Sequence, residues 1–103
     1  MTDTVERRRV EVIVDAPLVN VVIAAANEAG IYHYTLLPTL GGEGERGRWQ
    51  DDQVTRAQTK VVFLAVASEQ VAHVFVERLS PMLDSHGFVL FTSSVSVVRG
   101  QKF

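Results

Sequence analysis

The run Thr59-Lys60-Val61-Val62-Phe63-Leu64-Ala65-Val66-Ala67 restricts this chain more than any other stretch. Side chains alternate between the two faces of a strand, so a strand apolar on both faces, as this one is from Val61 to Ala67, has to bury both. The run predicts an interior strand, covered by helices on one side. A four-stranded sheet with helices on one face leaves its other face wet, and the second apolar face therefore argues for a partner subunit. With 103 residues the chain forms one domain, 1–103, with material for a single core.

The flanking segments supply the rest of such a sheet. Arg9 to Asp15 alternates, with Val10, Val12 and Val14 on one face, and reads as a strand after a frayed, polar start. Asp15 is placed to cap a helix with Pro17 in its first turn. Leu18, Val22, Ala25 and Ala29 recur at helical spacing, and Gly30 stands where a left-handed C-terminal residue is wanted. Ile31 to Leu37, aromatic and β-branched, reads as a second strand that Pro38 ends or sets on a sheet edge. Ser68 caps a second helix with the stripe Val71, Phe75, Leu79 and Met82, stopped near Ser80 by Pro81. Asp84 to Gly87 is a short turn. Phe88 to Thr92 opens a last strand, which Val95 to Arg99 continues past a bend or follows as a second piece. The order β-α-β-β-α-β is the ferredoxin-like α+β fold, an antiparallel sheet with two helices on one face.

Between the second and third strands lies a segment of approximately 40–58, expected to lack secondary structure. Such length is unusual in a compact domain and points to function or to mobility. Gly41, Gly42, Gly44 and Gly47 fall within it, with Glu43, Glu45, Arg46, Arg48 and Trp49. One reading is a solvated hairpin tip; the other, preferred here, is a ligand-responsive loop. Glycine backbones form concave anion nests, and arginine forks suit phosphate or carboxylate. Arg46, Arg48, Lys60, Arg99 and Lys102 are the available cations, and Gly41, Gly42 and Gly87 the nest-forming glycines. Lys60 and Arg99 are expected at the sheet end that bears the loop. Trp49 either marks a contact surface or folds back on its own hairpin.

Other chemistries are poorly served. A net charge of −2 provides no basic field for nucleic acid, and the charges from Glu43 to Arg56 are interleaved in sign. The chain contains no cysteine, which excludes disulfides, thiolate nucleophiles and cysteine-ligated zinc. His33, His73 and His86 are scattered over a strand, a helix and a turn, with no ligand spacing and no local serine–histidine pairing. Glu43 with Glu45, and Asp51 with Asp52, read as solvated charges, because acid–base work needs a carboxyl whose pKa burial has raised. No catalytic or metal-ligating residue is assigned. No signal peptide or membrane span is evident, which points to a cytoplasmic protein without membrane insertion.

Tyr34-Thr35-Leu36-Leu37-Pro38-Thr39-Leu40-Gly41-Gly42-Glu43-Gly44, together with the closing Val97-Val98-Arg99-Gly100-Gln101-Lys102-Phe103, resembles the PII-like signalling proteins. The similarity extends over essentially the whole chain and is nearest to the branch linked to carboxysomes and bicarbonate transporters. It implies a non-enzymatic homotrimer that binds ADP or AMP, with ATP and bicarbonate as further ligands, in clefts between subunits. It has no prosthetic group. By position, Thr39, Gly41, Gly42, Gly44, Arg46 and Arg48 would lie in the responsive loop, with Lys60 beside it. Gly87 and Phe88 would form a second loop lining the cleft, and Arg99 and Gly100 the C-terminal contribution. The loop would contact a regulated transporter or enzyme of inorganic-carbon metabolism, at a carboxysome or an inner-membrane transporter. The uridylylated tyrosine and the Gly-Asp-Gly phosphate loop of nitrogen-regulatory relatives are missing, which disfavours uridylylation and favours AMP or ADP over ATP. The alternatives are a trimeric metal-binding or interaction protein of the CutA-like kind and a small hydrolase on the same fold.

Overall fold

In the computed structural model, residues 3–45, 47–50 and 59–98 are described. The elements run β1 (Thr4–Asp15), α1 (Val19–Ala29), β2 (Thr35–Pro38), β3 (Gly41–Gly44), β4 (Gly47–Gln50), β5 (Lys60–Ala67), α2 (Glu69–Leu79) and β6 (Val89–Val98). Four strands form one antiparallel sheet in the order β2-β5-β1-β6, and β3 and β4 pair as a separate hairpin. β5 is thus interior, as its composition requires. β2 lies on an edge, where Pro38 can lack its N–H without breaking a ladder.

The core lies between one face of the sheet and the two main helices. Val10, Val12 and Val14 of β1 are fully buried, and so are Phe63 of β5 and Phe75 and Leu79 of α2. Phe63 is its centre, with ring centroids 5.6 Å from Phe75 and 5.1 Å from Tyr34. Ala25, Ala26 and Ala72, all buried, let the helices sit close to the strands. α1 ends in a Schellman turn. Gly30 takes a φ of 103°, its N–H reaches Asn27 O, and the Ile31 N–H reaches Ala26 O at 2.8 Å. α2 begins as expected, with Ser68 Oγ accepting from the Val71 N–H at 3.2 Å.

Several boundaries differ from the sequence expectation. Thr4 to Arg9 is strand, paired against Ser93 to Val98 of an unbroken β6. The backbone ladder and polar contacts, Arg8 to Ser94 Oγ at 2.7 Å and Ser96 Oγ to Glu6 at 2.7 Å, hold it without an apolar stripe. Ile31 to Tyr34 precede the strand, because the chain spends them crossing from the helix layer to the sheet, with Ile31 buried on the way. On α2, Ala72 is buried at the centre of the inward face, while Val71 packs at its margin. Residues 83–86 form one helical turn, closed by Gly87 at a φ of 69°.

The face of the sheet away from the helices is open in the single chain. Register aligns Leu37, Val62, Ile13 and Val89 in one row across it, and Thr35, Leu64, Glu11 and Phe91 in the next.

Candidate functional site

The segment after β2 carries structure that its glycine and charge content conceals. β3 and β4 pair with Gly41 opposite Gln50, Gly42 opposite Trp49, Glu43 opposite Arg48 and Gly44 opposite Gly47. The expectation of a connection without secondary structure is therefore corrected over this stretch. Gly47, at a φ of 117°, supplies the left-handed residue at which the chain re-enters the ladder.

Trp49 folds back on its own hairpin. Its ring lies across Gly42, where an added Cβ would stand 2.6 Å from Trp49 Cζ2. Only glycine leaves room for this seat. The indole Nε1–H donates to Thr39 Oγ1 at 3.0 Å, and the Thr39 hydroxyl donates to Lys60 O at 2.7 Å. One hydroxyl thus ties the hairpin to the first residue of β5. The Lys60 ammonium stands 5.2 Å from the indole centroid, within cation–π range, and 2.6 Å from Asp15 Oδ1. Thr39, Gly42, Trp49, Lys60 and Asp15 form one connected cluster at the mouth of the sheet.

Asp15 was expected to cap a helix, but its side chain caps nothing and pairs with Lys60 instead. The antiparallel register sets the two residues directly opposite each other, so a charge pair is available across the strands. That register was the one signal that could have found Asp15, because β1 ends in an acid where β5 begins with a base. Nearby, Thr59 is buried at 8% exposure and its hydroxyl has no hydrogen-bond partner, while its carbonyl accepts from the Ala16 N–H at 2.9 Å.

The other expected site residues distribute as follows. Arg48 pairs with Glu43 at 3.4 Å, both exposed. Strand alternation puts this pair on the hairpin face opposite to Trp49, away from Lys60. Gly41 and Gly44 belong to β3. Gly87 ends the short helical turn, and Phe88 is buried in the core with its N–H bonded to Leu83 O. The Phe88 side chain is thus committed to packing rather than to a cleft wall.

β6 starts at the same sheet end as Lys60, since Val89 faces Ile13 and Lys60 faces Asp15. Yet β2 and β6 are opposite edges with two strands between them, on the order of 14 Å apart. Gly87 and the hairpin base of one chain therefore share an end of the sheet but not a site. β6 then runs away from that end. Val98 faces Thr4, roughly 35 Å along β1 from Asp15, so the expected proximity of the C-terminal residues to Lys60 does not hold up to Val98. Arg46, Arg99, Gly100 and Lys102 lie outside the described residues, as do Asp51 and Asp52.

Ser85 Oγ and His86 Nδ1 are 2.8 Å apart, a local pairing that the sequence reading did not foresee. The pair lies on the surface of the helical turn, the hydroxyl is also 3.4 Å from Met82 O, and the ring packs on Phe88. Among the described residues no group of three or more His, Asp or Glu is arranged to hold a metal ion, and no helix is long and apolar enough to cross a membrane.

The family model described as nitrogen regulatory protein P-II matches residues 7–102 of the chain. No curated protein matches it. Among solved structures, the chain is similar to CPII, a nitrogen regulatory PII-like protein from Thiomonas intermedia bound to ADP, AMP and bicarbonate. That similarity is 20% identity with a TM-score of 0.91, covering 100% of this chain and 98% of that one. CPII bound to ADP and bicarbonate matches with a TM-score of 0.89 at 20% identity, over 100% and 99% of the two chains. A PII-like signaling protein from Thermus thermophilus matches at 26% identity with a TM-score of 0.83, over 98% of each chain.

Proposed function

The chain belongs to the nitrogen regulatory protein P-II family, and from that premise we propose that it senses an adenine nucleotide, ADP or AMP, between the subunits of a homotrimer. Proteins of this family signal and do not catalyse. The observation that carries the proposal is the placement of two glycine-bearing turns. The hairpin base follows the β2 edge of the sheet, with Lys60 on the neighbouring interior strand β5, and Gly87 precedes the other edge, β6, at the same end. A second copy whose β6 edge approaches the β2 edge of the first brings the two together, and one chain alone does not. The apolar row Leu37, Val62, Ile13 and Val89 gives the copies a face on which to associate.

In this reading Lys60 and the backbone of Gly41 to Gly44 meet the phosphates from one subunit, and Gly87 meets them from the next. Thr39 keeps the hairpin base in place. Arg46, Arg99 and Gly100 are carried as further nucleotide contacts on the strength of the family resemblance. Arg48, held by Glu43 on the far face of the hairpin, is better placed for a protein partner than for the nucleotide. Bicarbonate is a second ligand by analogy with CPII, whose structures contain it. The output is a change in the hairpin, read in the cytoplasm by a transporter or enzyme of inorganic-carbon handling.

Calorimetric titration with AMP, ADP and ATP, each with and without bicarbonate, tests the reading, and zinc and copper serve as the arm for a metal-binding protein. Saturable heat from ADP or AMP supports nucleotide sensing. Heat from the metals alone would replace it with the CutA-like alternative.

A further inference from the structure

We propose that Trp49 is a built-in competitor for the nucleotide site: seated over Gly42 and against Lys60, it holds the hairpin closed, and an anionic ligand has to displace it. This inference rests on the nucleotide reading above and adds to it the element that sets affinity.

The seat is made for the indole. Gly42 lies directly opposite Trp49 in the ladder and is the one residue type that leaves the ring room. The Nε1–H bond to Thr39 fixes the ring's rotation, and the same hydroxyl's bond to Lys60 O anchors the arrangement to the sheet. Trp49 is the only tryptophan of the chain.

Competition follows from the geometry around Lys60. An ammonium has three donors. Asp15 takes one at 2.6 Å, and the indole stands over the head at 5.2 Å. A phosphate cannot approach from the Asp15 side, where the carboxylate repels it. The indole covers a second side of the head, so a phosphate that takes that approach to Lys60 and the seated ring exclude one another. Release of the ring also uncovers the backbone of Gly42.

Seating is supported by one neutral hydrogen bond and one cation–π contact, together about 1.4 kcal/mol, so its removal corresponds to about a tenfold gain in ligand affinity. Gly42→Ala is the informative variant. The backbone at Gly42 lies outside the positive-φ glycines, so alanine fits the backbone there and its methyl evicts the ring, while adding a Cβ beside the backbone proposed to meet the phosphates. Thr39→Val is the second variant, removing the hydroxyl while leaving Gly42 open.

The experiment compares wild type, Gly42→Ala and Thr39→Val by tryptophan emission and acrylamide quenching, then titrates each with ADP by calorimetry. The expected result is a shielded indole in wild type, a red-shifted and readily quenched one in both variants, and about tenfold tighter ADP binding to Gly42→Ala. Wild-type Trp49 as accessible as in Gly42→Ala would show that the seat is not held. Eviction of the ring in both variants, with ADP binding tightened in neither, would show that it does not compete. Absence of ADP binding in wild type and variants alike would remove the nucleotide reading and the competition with it, whatever the fluorescence shows.

Discussion

Val62→Lys should convert the assembly to a folded monomer. Val62 sits mid-row on the open sheet face between Leu37 and Ile13, and the row ends in Val89. Leu37, Val89 and Phe91 remain 41%, 52% and 46% exposed in the single chain. Complete burial of such a side chain is worth about 1.5–3 kcal/mol, so covering the exposed halves of these three gives about 3 kcal/mol per subunit. An ammonium at the centre of that row costs several kcal/mol on burial, roughly cancelling or exceeding the gain, and a threefold assembly meets it three times. The fold itself is spared. Val62 points away from the face that carries Phe63, and in a monomer the lysine reaches water. Size-exclusion chromatography with light scattering at micromolar concentration, alongside circular dichroism, reads both. A Val62→Lys protein that remains a stable trimer would refute the assignment of this face to the interface.

Two further outcomes are expected. Phe63→Ala removes the ring between Tyr34 and Phe75 from a fully buried position, and should cost about 3–5 kcal/mol in urea unfolding at fixed protein concentration. A loss below about 1 kcal/mol would mean that the core is centred elsewhere. Lys60→Ala removes a charge-assisted contact worth about 1.5–3 kcal/mol, so ADP should bind at least about tenfold more weakly while adenosine changes little. Equal losses for both ligands would move Lys60 away from the phosphates.

The architecture was legible where burial imposes a period. Val10, Val12 and Val14 marked β1, the two apolar faces of β5 marked an interior strand, and Ser68 and Gly30 marked helix ends. Segments held by backbone pairing and polar contacts carried no such period. Thr4 to Arg9 is strand through its ladder to β6, and Gly41 to Gly44 is strand although glycine is a poor strand former. Both were invisible to hydrophobic patterning. The cluster around Trp49 followed different signals. Gly42 and Lys60 stood out by residue type and Thr39 through the family resemblance, whereas Asp15 entered only through the register that pairs it with a residue 45 positions away. The seat of Trp49 needed the hairpin to close before Gly42 could face it.

A nucleotide site that two chains build together is put to the test by ADP titration of the wild type beside the folded Val62→Lys monomer. Both proteins retain Lys60, the hairpin and Gly87. Saturable ADP binding to the wild type, with none to the monomer, is expected. Binding of equal affinity to both would place the whole site within one chain and contradict it.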